Sequence, residues 1–175
     1  MFYNQTNELR SRASKLIELL PLEKRIPVAV EDLPGLLGIN VDYSDSLPDE
    51  ISGFFKRNGK GNTPVIVINS AHPKERGRFT LAHEIGHYLL HAQKAVTINT
   101  LHFRKRDSSL SLDLEEIEAN QFAAELLMPY HLMISEITGS DLLNHDSVNK
   151  LTTKLSKKFL VSEQAMTFRI AKLFF

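Results

Sequence analysis

Five residues, His83-Glu84-Ile85-Gly86-His87, constrain this chain more than any others. Residues four apart on a helix differ by about 40° around its axis and about 6 Å along it, so both imidazoles reach one point from the same side. Glu84, one step on from His83, leaves that face and is placed to hold a water and take its proton. The flanking residues supply the helix. Pro73 suits a first turn, and Glu75 adds negative charge near the N-terminus. Phe79, Ala82, Gly86, Leu89 and Leu90 recur at helical spacing, while Leu81, Ile85 and Tyr88 form a second apolar stripe. A helix apolar on two sides lies mostly inside the protein, so the fold must bury two histidines and a glutamate, which is costly unless they find partners. Gly86 costs about 1 kcal/mol relative to alanine in a helix interior. Its presence predicts close approach of another element beside the histidines.

H-E-x-x-H on a helix is the pattern of a zinc-dependent hydrolase: imidazole suits a borderline-soft ion and the carboxylate serves as base. Catalytic zinc takes a third protein ligand, with water in the fourth place. A further histidine six residues after His87 would complete one such set, but that position is Gln93. His91 shares the face, yet a third imidazole on a straight helix drifts away from a single ion, which leaves it a supporting or helix-end role. A carboxylate from another helix remains. Leu114 to Met128 is a strong helix former that stops before Pro129, and Ala119, Ala123 and Ala124 give it a surface of small residues. A short carboxylate needs such close approach. Glu118 borders that surface and is the preferred ligand by spacing; Glu115 and Glu125 lie a turn or more away, and Glu116 reads as part of a solvated face.

Together these segments make the chain similar to the ImmA/IrrE family of zinc metallopeptidases. The similarity is carried by Ile51-Ser52-Gly53, by Val65-Ile66-Val67-Ile68-Asn69, by Arg78 through His91, and by Glu116 through Pro129. It implies a compact zincin-like α+β fold, with His83, His87 and Glu118 as ligands of Zn2+ and Glu84 as catalytic base. It also implies an intracellular endopeptidase that cuts helix-turn-helix repressors, releasing genes of mobile elements or stress responses. That substrate class comes from the resemblance alone.

The rest of the chain sets the frame. Its 175 residues suit one domain with a small extension. Lysine plus arginine and aspartate plus glutamate both number 21, so net charge gives no reason to expect nucleic acid as partner. The first residues lack the basic-then-apolar pattern of a secretory signal, no apolar run approaches a membrane span, and cysteine is absent, which excludes thiolate ligands and fits a cytoplasmic protein. An amphipathic helix is expected over 8–20, a short helix over 31–37 ended by Gly38, and strands over 39–43, 51–56 and 65–69. The last two flank Asn58-Gly59-Lys60-Gly61-Asn62, a turn signal for an antiparallel hairpin. The stretch 93–113, with His102, Arg104-Lys105-Arg106 and Ser108-Ser109, reads as a solvated loop. Tyr88 and His102 are ordinary polar residues with a conceivable role at the oxyanion.

Beyond residue 138 the chain changes character. Helices over 148–159 and 163–173, the second capped by Ser162, have helix-turn-helix spacing, though Leu160 stands where a small turn residue is more usual. Lys154, Lys157, Lys158, Arg169 and Lys172 make the region basic, but helices that complete the core without touching DNA are the plainer reading. The expected layout is therefore a zincin-like peptidase domain over 1–138, with a small antiparallel sheet and an active-site helix, followed by a helical extension over 139–175. The expected activity is peptide-bond hydrolysis, on a protein substrate and away from the membrane. The alternative is a regulatory DNA- or protein-binding module whose metal is mainly structural; the presence of Glu84 argues against it.

Overall fold

A computed structural model describes residues 2–21, 25–56, 63–91, 96–100, 110–137 and 145–174, and these have an α+β architecture. The chain divides into two units, residues 30–123 and residues 1–29 together with 124–175.

In the first unit a short 3-10 turn, Val30–Asp32, leads into helix α2 (Leu33–Leu37), helix α1 being in the other unit. Gly38 closes α2 with φ 68°, a left-handed conformation that glycine adopts without penalty. Strands β1 (Asn40–Ser44), β2 (Ile51–Lys56), β3 (Val65–Asn69) and β4 (Val96–Thr100) form one four-stranded sheet in the order β1-β3-β2-β4. β2 and β3 are antiparallel, as the hairpin reading predicts; the turn signal between them lies outside the described residues. The sheet as a whole is mixed rather than antiparallel. β1 joins the hairpin beside its returning strand, β3, which runs in the same direction as β1. β4 pairs antiparallel with β2, past an irregularity between Ile51 and Gly53. It falls in the stretch expected to be loop, where the alternation Val96-Thr97-Ile98-Asn99 is a short period-two signal outweighed by the polar residues after it.

Helix α3 (Lys74–Leu90) packs on β2 and β3. The approach is close at Gly53, where a Cβ would stand 2.5 Å from the Val67 carbonyl oxygen and 2.7 Å from Thr80 Cγ2. Farther along, the rings of Phe55 and Tyr88 meet edge to face at 5.6 Å. At the other end buried Arg78 grips both oxygens of Glu31, at 2.6 and 2.7 Å. Phe55, Ile66, Ile68, Leu81, Ala82 and Ile85 are buried around this helix, with Ala119, Phe122 and Ala123 from helix α4 (Leu110–Leu127). The helix α3 carrying the histidines is thus fixed by sheet, turn and helix at once.

The second unit holds helices α1 (Phe2–Glu18), α5 (Tyr130–Glu136), α6 (His145–Phe159) and α7 (Glu163–Phe174), and the last residues of α4. Leu9, Ala13, Leu16, Ile17 and Leu20 are buried, as the amphipathic pattern predicts. Arg169 of α7 is buried and forms a two-pronged bridge to Glu125 at 2.9 and 2.6 Å, while its Nε donates to the Met128 carbonyl at 3.1 Å. Arg10 of α1 reaches Glu125 at 3.5 Å and lies 4.1 Å above the Tyr130 ring. In this unit α1 and α5 group with α6 and α7, and Glu125 draws Arg10 of α1 and Arg169 of α7 into one cluster. Arg169 serves that cluster and not a basic surface. Between α6 and α7 Leu160 adopts φ 52°, so the tight turn forms at a cost of about 1–2 kcal/mol for a side chain in that region. Ser162 Oγ accepts from the Ala165 amide at 3.1 Å, the expected cap. Among the described residues no helix is long and apolar enough to cross a membrane.

Candidate metal centre

The site lies in the first unit, between α3 and α4. His83 and His87 are 6% and 3% exposed, and Glu84 between them is fully buried. The helical spacing brings the two Nε2 atoms within 2.9 Å of each other. Glu116 of α4 closes the third side, with Oε2 3.3 Å from His83 Nε2 and Oε1 3.2 Å from His87 Nε2. Two imidazole nitrogens and a carboxylate facing one point form a donor set suited to zinc, whose tetrahedral ligands at about 2.0–2.1 Å stand about 3.3 Å apart. The observed separations match that spacing closely enough for these residues to fit the ion.

Other groups orient the donors. His83 Nδ1 donates to Asn120 Oδ1 at 3.1 Å, which orients the ring and turns Nε2 toward Glu116. His87 Nδ1, also buried, has no hydrogen-bond partner among the described residues. Burial pushes the Glu116 carboxyl up, but hydrogen bonds with His83 and His87 and their positive charge outweigh it and hold the group at about 2. Burial likewise lowers His83, yet the hydrogen bond to Glu116 and the charges of Glu84 and Glu116 raise it overall. His87 is lowered, by burial first and then by its histidine neighbours, against the pull of Glu116. The ionised carboxylate thus demands positive charge beside it, from a proton on one histidine or from a cation that displaces that proton.

Of the glutamates of α4, Glu116 rather than the expected Glu118 stands against the histidine pair. Among the described residues His83, His87 and Glu116 are the group whose donor atoms lie close enough together to hold a metal ion. Ala119 does face α3, as expected, and is fully buried. Glu116 and Glu118, however, flank the Ala119 line on opposite sides, since residues two apart differ by about 200° around a helix. Glu116 is on the flank shared with Asn120, four residues on, which also reaches His83. Glu118 is on the other, with Oε2 3.6 Å from His91 Nε2. A partly exposed residue at the mouth of a buried site reads, in sequence, like any solvated carboxylate. Asn120 went unremarked, although its four-residue offset from Glu116 was a usable signal.

Glu125 is held in the Arg169 bridge, and the Glu115 carbonyl accepts from His91 Nε2 at 3.2 Å. His91 ends α3, as expected, its amide donating to the His87 carbonyl at 3.0 Å. Tyr88 lies on Phe55. His102, Arg104-Lys105-Arg106 and Ser108-Ser109 are outside the described residues. The close approach expected at Gly86 is present: a Cβ there would meet Phe122 Cδ1 at 3.1 Å and Ala119 Cα at 3.3 Å.

Residues 35–171 match the family model Peptidase_M78, described as the IrrE N-terminal-like domain. The chain is 39% identical over 98 residues to "Uncharacterized immunity region protein 2" of Bacillus phage phi105, a match covering 56% of this chain and 57% of that protein. It is 43% identical over 65 residues to "Radiation response metalloprotease IrrE" of Deinococcus radiodurans, covering 37% of this chain and 19% of that protein. A solved Mycobacterium tuberculosis transcriptional regulator shares the fold, with TM-score 0.60 at 17% identity over 97% of this chain and 49% of that one. In each case the match covers less than two thirds of the other protein.

Proposed function

This chain belongs to the Peptidase_M78 family, and from that premise we propose that it is a zinc-dependent endopeptidase whose metal is held by His83, His87 and Glu116. The observation that carries the reading is the convergence of two buried Nε2 atoms and one carboxylate at 2.9–3.3 Å, with a buried carboxylate, Glu84, next to the first of them. A bound zinc ion supplies Lewis acidity toward the scissile carbonyl and toward water. The remaining work falls to the chain. Glu84 accepts the proton that water loses on attacking the carbonyl carbon, and returns it to the amine as the C–N bond breaks. Asn120 holds the His83 ring so that it presents Nε2. A base so placed has no purpose in a purely structural site.

The substrate is proposed to be an intracellular protein, a helix-turn-helix repressor, cut at one or a few bonds to release the genes it holds. The immunity-region name of the phage relative supports a repressor context. The edges of the sheet, β1 and β4, offer main-chain groups with which an extended substrate segment could pair. Incubating purified, zinc-loaded protein with the repressor encoded beside its gene tests this. Discrete fragments are expected, with little action on casein; comparable rates on both would refute the selectivity. Glu84→Gln is expected to retain zinc while cleavage falls by about 10²–10⁴-fold. A Gln variant that cleaves like the parent would remove Glu84 from its role.

A further inference from the structure

We infer that His91 is a positioning residue: it tethers the backbone of α4 at the peptide unit leading into Glu116 and so sets where that carboxylate stands. The inference rests on the metal site proposed above. His91 is the residue that ends α3, and its side chain is only 10% exposed. Its Nε2 donates to the Glu115 carbonyl at 3.2 Å, and that carbonyl belongs to the peptide bond joining Glu115 to Glu116. Glu118 Oε2 lies 3.6 Å from the same nitrogen, and the His91 ring is 5.4 Å from that of His87.

These contacts sit on one flank of α4, and the metal-facing carboxylate sits on the other. Turning α4 about its axis to bring Glu118 inward carries Glu116 outward, because the two are about 160° apart around the helix. The helices have little room to correct such a turn by drawing together, since even a Cβ added at Gly86 would stand 3.1 Å from Phe122 and 3.3 Å from Ala119. Ala119 sets the separation of α3 and α4, and His91 sets the rotation. With both fixed, a half-exposed glutamate stays aimed at a buried pair of histidines. The His91 contact also accounts for why Glu118, the carboxylate nearer in sequence to the alanine surface, is held away from the ion.

The test uses the full chain. Zinc affinity is measured by chelator competition, and the cobalt-substituted protein is examined by visible absorption, which reports the number and geometry of ligands. His91→Leu is expected to weaken zinc binding by about 10–100-fold, as loss of groups behind metal ligands does elsewhere, and to change the cobalt spectrum. His91→Gln, which retains a donor, is expected to restore most of both. A His91→Leu protein with the parental affinity and spectrum overturns the inference, and so does a His91→Gln protein as impaired as the Leu variant. If the Leu variant does not fold, the Gln variant and Glu118→Gln decide. In that case a Gln variant with the parental spectrum beside a shifted Glu118→Gln spectrum supports the tether, and two parental spectra overturn it. The underlying reading is tested separately by Glu116→Ala. Retention of tight zinc there removes the metal site itself, whereas loss of zinc there with a silent His91→Leu removes only the tether.

Discussion

Gly86→Ala isolates the contact on which the metal centre depends. In an unhindered helix the change stabilises by about 1 kcal/mol. Here the new methyl would stand 3.1 Å from Phe122 Cδ1, 3.3 Å from Ala119 Cα and 3.4 Å from the Ala119 carbonyl oxygen. Carbon atoms pack best at about 3.5–4.0 Å, so α3 and α4 must part by a few tenths of an ångström. Phe122 can turn, but the Ala119 backbone cannot yield without moving α4. Overpacking of this kind costs about 1–3 kcal/mol, which outweighs or cancels the propensity gain and leaves a net loss of about 0–2 kcal/mol. The metal should register the shift more sharply than stability does. Glu116 rides on α4 less than one turn from Ala119, and zinc–ligand distances tolerate only about 0.2 Å. Denaturant unfolding with excess chelator reads the first quantity and chelator competition the second. The expected result is near-parental or slightly reduced metal-free stability with zinc affinity down about tenfold, within the range found when groups behind metal ligands are disturbed. A variant more stable by about 1 kcal/mol that binds zinc like the parent would refute the close approach.

Other perturbations separate roles that the sequence leaves entangled. Zinc content of Glu116→Ala should fall steeply, as for His83→Ala and His87→Ala, while Glu118→Ala should retain measurable zinc; the reverse order would restore Glu118 as ligand. Arg169→Met should destabilise the protein by about 3 kcal/mol in thermal or denaturant unfolding, because it strands a buried Glu125 that Arg10 reaches only at 3.5 Å. The double variant Arg169→Met with Glu125→Leu should recover most of that loss, and an equally unstable double variant would show that the bridge is not the cause. Gly53→Ala should destabilise more than Gly86→Ala, since its methyl would stand 2.5 Å from the Val67 carbonyl oxygen in a paired strand; unfolding curves of the two variants side by side decide it.

Much of this protein was fixed by short-range chemistry. The His83-to-His87 spacing acts within one helix turn, and the alternating strands, the Ser162 cap and the Gly38 stop act over a few residues. Such features follow from local backbone geometry, so most of the elements, the α+β class and the histidine pair were legible in the chain. Gly86 even announced a close neighbour without naming it. What needed tertiary structure was every choice between similar groups set by the rotation or pairing of distant segments. Whether Glu116 or Glu118 reaches the histidines depends on the turn of α4 about its axis, and α4 has too weak an amphipathic pattern to decide it. Whether β1 lies beside β2 or β3 depends on which edge of the hairpin is open, and whether residues 96–100 are loop or strand depends on β2 offering a partner. The buried Glu125–Arg169 bridge joins residues 44 apart in sequence, too far for any periodicity to report. Local pattern placed the donors along the chain; packing decided which of them meet.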